Sequence, residues 1–119
     1  GYPYKLRGNQ ISEKAKIVAI CDVYDAITSK RVYKDKQNPL IGLKVILDKS
    51  YNELDPYLCK LFLKNVSQTY HGCKAVLNDG RICKIIKVFP ENPTEPWVAI
   101  DEKLYNLSQY SDLEVIDII

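Results

Sequence analysis

Residues 15–34 read AKIVAICDVYDAITSKRVYK. From Ile17 to Ile27 the side chains are almost continuously apolar, with Asp22 and Asp25 as the charged exceptions. Such a run predicts an α-helix, and a helix that is apolar on most sides needs neighbours on most sides. Ser12 is a good N-cap, and the helix dipole favours the acidic residue that follows it. We therefore expect a helix that begins just after Ser12, and three helices and a small sheet give it too few neighbours to bury it on all sides.

Two further helices are predicted downstream, each from an N-cap residue at its start. Asn38-Pro39 and Asp55-Pro56 each join an N-cap residue to a proline, which is tolerated at the first helical position. The first of these helices should run to about Lys49. The second carries an apolar stripe at helical spacing, formed by Leu58, Leu61, Phe62 and Val66.

The pattern changes from helices to strands near residue 72. Residues 75–77 and 82–89 are apolar and flank Asn78-Asp79-Gly80, a typical hairpin turn in which glycine accepts a positive φ. We predict a loop over 91–96, a second hairpin from 97–101 and 104–107 around Glu102-Lys103, and a closing strand over 113–119. The fold class is therefore α+β: about three helices in 1–71, then a small antiparallel barrel or curled sheet of about five strands in 72–119.

Composition excludes several classes of protein. The chain has 119 residues, 46% of them hydrophobic and 27% charged, which is ordinary for a globular protein. A net charge of +2 is too slight to indicate a nucleic acid polymer or a membrane surface as partner. No apolar run approaches the roughly 20 residues needed to span a bilayer, so no membrane segment is expected. The four cysteines have no C-x-x-C spacing, and we expect Cys21 and Cys59 to be buried, reduced thiols of a cytoplasmic protein.

Asp22 and Asp25 are the first candidates for chemistry. They lie three residues apart, so they share one side of the predicted helix. An ionised carboxylate in apolar surroundings is costly unless it meets a metal or a cation. The alternative is a solvent-facing stripe of Lys14, Asp22, Asp25 and Ser29, and both interpretations stay open.

Arg31 and Lys34 follow this helix and could bind phosphate, since a guanidinium offers two parallel donors and an ammonium a compact charge. The alternative is a solvated helix end, where cations are favoured in general. His71 has no visible partner for catalysis. A zinc site from His71, Cys73 and Cys83 would lack a fourth ligand and a recognised spacing.

Three segments together resemble the HD-GYP family of phosphodiesterases: Gly1-Tyr2-Pro3, residues 15–34, and Leu54-Asp55-Pro56. The resemblance covers residues 1–70 and implies an all-helical core with a multinuclear centre of divalent metal, iron or manganese. It also implies hydrolysis of cyclic di-GMP to pGpG or GMP. Residues 72–119 resemble a small β appendage that follows HD-GYP cores, with a role in packing, dimerisation or ligand sensing.

The resemblance also assigns roles to individual residues. Asp22 matches a metal-ligating aspartate, and Asp25 fits a partner that supports such a ligand. The positions that match substrate-binding residues of the family are Gly1, Tyr2, Pro3, Arg31 and Lys34. Lys16 stands where the family often has arginine, which keeps the charge without the fork geometry.

In the family, the His-Asp pair and further histidine ligands precede GYP. We therefore expect this chain to be a fragment cut at the GYP motif, inactive alone and without metal, whose parent is a metal-dependent phosphodiesterase that binds cyclic di-GMP. Its uncovered helical surface should drive homo-oligomerisation. The alternative is a non-catalytic interaction or dimerisation module built on the β appendage.

Overall fold

The structure, a computed structural model, describes residues 12–29 and 38–119. Within these residues it contains three α-helices, α1 (Glu13–Thr28), α2 (Pro39–Lys49) and α3 (Pro56–Thr69). All three were predicted, and α2 and α3 begin at their prolines.

Side-chain caps start each helix. The Ser12 hydroxyl accepts a hydrogen bond from the Ala15 amide at 3.0 Å, and Asp55 accepts one from the Leu58 amide at 3.0 Å. Asn38 caps α2 by accepting from the Leu40 amide at 2.7 Å, and its buried side chain also donates to the Val115 carbonyl at 3.0 Å. One residue therefore both starts α2 and ties it to the last strand.

Five strands follow the helices within the described part of the chain. They are β1 (Lys74–Leu77), β2 (Ile82–Phe89), β3 (Asn92–Ile100), β4 (Lys103–Asn106) and β5 (Val115–Ile118), with a short 3₁₀ helix over Leu107–Gln109. Every neighbouring pair is antiparallel, in the order β4-β3-β2-β1-β5. The predicted α+β class is confirmed, and the closing strand returns to the far side of β1.

The predicted loop over residues 91–96 is wrong, because β3 already begins at Asn92. Pro93 and Pro96 suggested a loop, since proline cannot donate to a sheet ladder. The β2–β3 register shifts twice, between Ile85 and Lys87 and between Lys87 and Phe89. Such irregularities leave ladder positions unpaired, so the prolines fit within the strand.

One cluster of buried apolar residues joins the helices to the sheet. Helix α2 packs on β3, and α3 packs on β2. The helices contribute Leu40, Leu43, Ile46, Cys59 and Leu63 among others, and the sheet contributes Ala75, Leu77, Ile85, Val88 and Val98. The sheet therefore shares its core with the helical part.

Candidate functional site

Helix α1 carries the part of the predicted site that the structure describes. Asp22 and Asp25 are both exposed on it. The predicted substrate-binding residues lie outside the described residues, and they are Gly1, Tyr2, Pro3, Arg31 and Lys34.

The two sides of α1 have different environments. Ile20 is its one buried residue, and Val23 and Tyr24 are half-buried against the core. On the outer side, Asp22 and Asp25 lie exposed, together with Val18, which keeps 50% of its surface accessible. In this chain the carboxylates thus form a solvent-facing stripe, as one of the two interpretations predicted.

Asp22 fits a metal ligand by chemistry, since carboxylate oxygens suit hard divalent cations. Among residues 12–29 and 38–119, however, no three His, Cys, Asp or Glu side chains come together to hold a metal. The described residues therefore do not form a metal centre by themselves, and Asp22 as a ligand stays a prediction.

The zinc site considered for His71, Cys73 and Cys83 is excluded by the same finding, since all three residues are described. His71 Nε2 instead accepts a hydrogen bond from the Val88 amide at 3.0 Å. His71 therefore joins the end of the helical part to β2.

A close helix crossing fixes the position of α1. A Cβ atom on Gly42 of α2 would lie 2.9 Å from Thr28 Cγ2 and 3.0 Å from Tyr24 Cε1. The Tyr24 hydroxyl is 2.6 Å from the Tyr70 hydroxyl at the end of α3, and its ring meets Phe62 edge-on. Burial, and then the bond to Tyr70, raises the pKa of Tyr24 well above the ordinary tyrosine value, so this hydroxyl stays neutral. These contacts were not visible in the sequence pattern, because they join residues that lie far apart in the chain.

An ion pair adds a second tie between α1 and α3. Lys16 Nζ lies 3.5 Å from Asp55 Oδ2, and both side chains are about a quarter exposed. The pKa of Asp55 is lowered, first by the backbone amide of Leu58 and then by Lys16. Lys16 is thus engaged with the cap of α3.

An open apolar groove of about 300 Å³ separates α1 from α3. Its walls include Ile17, 45% exposed, and Leu61, 39% exposed. The predicted apolar stripe of α3 lines this groove, with Leu58, Leu61, Phe62 and Val66 all in its wall. The predicted need of α1 for further cover agrees with these exposed aliphatic side chains.

The cysteines correct one prediction. Cys21 is exposed on α1, whereas Cys59 is buried as expected. Burial raises the pKa of the Cys59 and Cys83 thiols. Cys21 was misplaced because its apolar neighbours along the chain do not all face the core.

No helix in the part of the chain that the structure describes is long and apolar enough to cross a bilayer.

Comparison with known proteins matches residues 1–58 to the HD domain family. The cyclic di-GMP phosphodiesterase PA4108 of Pseudomonas aeruginosa is 33% identical over 100 residues, 84% of this chain and 24% of that protein. A probable cyclic di-GMP phosphodiesterase of Vibrio cholerae is 36% identical over 63 residues, 53% of this chain and 14% of that protein. The cyclic di-GMP phosphodiesterase PdeB of Borreliella burgdorferi is 26% identical over 98 residues, 82% of this chain and 26% of that protein.

The chain thus spans at most about a quarter of the length of these three relatives. The Pseudomonas match covers 100 residues, more than the helical part contains, so it extends into the sheet. No solved structure matches the chain significantly.

Proposed function

Residues 1–58 of this chain belong to the HD domain family in its HD-GYP form, and we propose from this that the complete protein is a metal-dependent phosphodiesterase. Its substrate in this proposal is cyclic di-GMP, which it hydrolyses to pGpG or GMP. The observation that carries the proposal is the position of Asp22, exposed on α1 inside the matched segment. Three relatives that bear this activity in their names support the choice of substrate.

Asp22 is the proposed metal ligand, with Asp25 as the residue that supports it. Divalent iron or manganese would polarise the phosphoryl oxygens and activate water when bound. Arg31 and Lys34 would hold the substrate phosphates by charge-assisted hydrogen bonds. Gly1, Tyr2 and Pro3 would form the loop beside the substrate.

The isolated chain is proposed to be inactive and free of tightly bound metal. A multinuclear centre needs several converging ligands, each oriented by its surroundings. Within the described residues Asp22 belongs to no group of three or more His, Cys, Asp or Glu side chains that could hold a metal. In this proposal the remaining ligands come from parts of the complete protein other than residues 1–119.

A chimera tests the proposal. The segment of the Pseudomonas relative that aligns with this chain is replaced by residues 1–119, and cyclic di-GMP hydrolysis is followed by chromatography. We expect the chimera to release pGpG or GMP and the isolated chain to release neither. Arg31→Ala and Lys34→Ala in the chimera should each raise KM several-fold, because each removes a cation from the phosphates.

The matched control is Lys44→Ala, which removes an exposed lysine of α2 that pairs with Asp48. This change should leave hydrolysis as it is in the unmodified chimera. An active isolated chain, or a chimera indifferent to both Arg31→Ala and Lys34→Ala, would contradict the proposal.

The proposed division is a catalytic portion over 1–71 and a β appendage over 72–119, in a cytoplasmic protein. The free thiols fit a reducing compartment. A wholly independent interaction module in 72–119 is less favoured, because the sheet buries its core against α2 and α3. Expression of 72–119 alone should therefore give a poorly folded chain by circular dichroism.

Self-association is also part of the proposal, since Ile17 and Val18 leave aliphatic surface exposed on α1. Light scattering should show the isolated chain growing beyond a monomer as its concentration rises. Ile17→Ser should suppress that growth. A chain that stays monomeric throughout would contradict self-association and leave the enzymatic proposal standing.

A further inference from the structure

A row of side chains runs across β4, β3, β2 and β1 to residue 119, just after β5, on one face of the sheet. Lys84 of β2 lies directly opposite Lys74 of β1 on one side and opposite Ala99 of β3 on the other. Ala99 in turn lies opposite Leu104 of β4. At the other end, the Ile119 amide donates to the Lys74 carbonyl at 2.9 Å. Directly opposite residues share a face of a sheet, so this row is a continuous surface.

Aliphatic side chains border the two lysines on this face. Leu104 and Ile119 are 58% and 68% exposed at the two ends of the row, and Ile82, two residues from Lys84 along β2, is 52% exposed. We call the surface formed by Lys74, Lys84, Ile82, Leu104 and Ile119 the lysine face. The buried residues Cys83 and Ile85 point to the opposite side, toward the core.

Two lysines of this face, Lys74 and Lys84, repel each other. Like charges directly opposite in neighbouring strands destabilise a sheet. Within the described residues no carboxylate forms an ion pair with Lys74 or Lys84. Asp117 lies on this same face in the adjacent row, opposite Val76, and its side chain accepts from the Ile118 amide. Lys87 lies opposite Trp97 on the same face, so three lysines stand there beside Asp117, and the face carries net positive charge between exposed aliphatic groups.

We propose that the lysine face is a docking surface for an acidic amphipathic helix. One carboxylate of that helix lies between Lys74 and Lys84 and relieves their repulsion, while its apolar side chains cover Ile82, Leu104 and Ile119. Five strands spaced about 4.8 Å apart span about 19 Å, the length of a helix of about 13 residues. The face thus accommodates three to four turns of helix.

Other partners fit this surface less well. A second copy that used the same face would place lysines against lysines. Single-stranded nucleic acid binds by stacking on exposed aromatic rings, whereas Trp97 is half-buried and packs edge-on against Phe89. Anionic bilayers are bound by clusters of about four to eight cations, more than the three lysines of this face, Lys74, Lys84 and Lys87.

The test uses the 119-residue chain and a designed helical peptide of 18 residues, with leucines along one side and glutamates beside them. Amide chemical shifts map the binding site, and their titration gives Kd. We expect the shifts to centre on Lys74, Lys84 and Leu104. Replacing the peptide's glutamates with glutamines should weaken binding at least tenfold, and so should Lys84→Glu in the protein. Lys64→Glu, at an exposed lysine of α3, is the control and should bind as the unmodified chain does.

A second measurement separates lost binding from lost folding. Lys84→Glu converts the repulsive cross-strand pair into an attractive one, so the melting temperature of the free chain should rise by about 2–4 °C. The proposal is overturned if Lys84→Glu leaves Kd unchanged or if the shifts map elsewhere. It also fails if both peptides bind equally, or if phosphatidylglycerol vesicles compete through the same residues with higher affinity than the peptide.

Discussion

Replacing Gly42 with alanine tests how α1 is held against α2. The added Cβ would lie 2.9 Å from Thr28 Cγ2 and 3.0 and 3.1 Å from two carbons of the Tyr24 ring. Carbon atoms in ordinary contact are about 3.5–4.0 Å apart, so these groups must move by about half an ångström or more.

Neither neighbour is free to move. The Thr28 hydroxyl donates to the Tyr24 carbonyl at 2.9 Å, which fixes the rotamer that presents Cγ2 to Gly42. The Tyr24 ring is held by its hydroxyl contact with Tyr70 and by the ring of Phe62. Overpacking of this kind costs about 1–3 kcal/mol, whereas alanine gains about 1 kcal/mol over glycine in helix propensity. We expect Gly42→Ala to lower the free energy of unfolding by up to about 2 kcal/mol, the difference between these two effects.

Urea denaturation followed by circular dichroism measures this change, which should also lower the melting temperature by about 5 °C. Thr28→Ser is the second substitution of a double-mutant cycle with Gly42→Ala, because it removes Cγ2 and keeps the hydroxyl. In the double variant we expect about 0.5–1 kcal/mol of the cost of Gly42→Ala to be recovered. A Gly42→Ala chain that is more stable by about 1 kcal/mol, with no coupling to Thr28→Ser, would refute this close crossing of α1 and α2.

Two further predictions concern the tie at α3 and the exposed side of α1. Asp55→Ala removes an N-cap and should cost about 1 kcal/mol in urea denaturation, whereas Asp55→Asn keeps the cap and should cost less. Because the folded-state pKa of Asp55 is lowered, its contribution is present above the unfolded carboxyl pKa and is lost as pH falls through the folded value. Between pH 6 and pH 3 the free energy of unfolding should therefore decrease less steeply with falling pH in Asp55→Asn than in the unmodified chain. Equal slopes for the two chains would contradict the lowered pKa of Asp55. Under native conditions iodoacetamide should modify exposed Cys21 well before the buried thiols of Cys59 and Cys83, as mass spectrometry of digests would show. Equal rates at all three would refute the described orientation of α1.

Local signals in the sequence predicted the helices because they act within one turn. Asn38 and Asp55 cap through their own neighbouring amides, so the chain order alone reveals α2 and α3. The hairpin at Gly80 was equally visible, since its φ of 92° is one that glycine adopts readily. The second hairpin was also found, with Asp101 and Glu102 in positive φ at its turn.

Contacts between distant residues could not be predicted in this way. Pro93 and Pro96 indicated a loop, because the register shifts that admit them in β3 depend on β2. Cys21 was expected to be buried, because the apolar run around it does not show which sides of α1 meet α2 and α3. The lysine face depends on strand register, which places Lys74 opposite Lys84 only once the hairpin has formed.

For the candidate site, the sequence identified the side of α1 that carries Asp22 and Asp25, and the structure places both there. Their roles with metal, and those of Arg31 and Lys34, stay predictions.

The most direct test of the central proposal is the metal content of the chimera with Asp22→Asn. Inductively coupled plasma mass spectrometry gives iron and manganese per protein chain, independent of any activity assay. We predict that Asp22→Asn removes at least one equivalent of metal relative to the unmodified chimera, while Asp48→Asn, at an exposed carboxylate of α2, removes none. An Asp22→Asn chimera that retains the full metal content would contradict the assignment of α1 as the ligand-bearing helix.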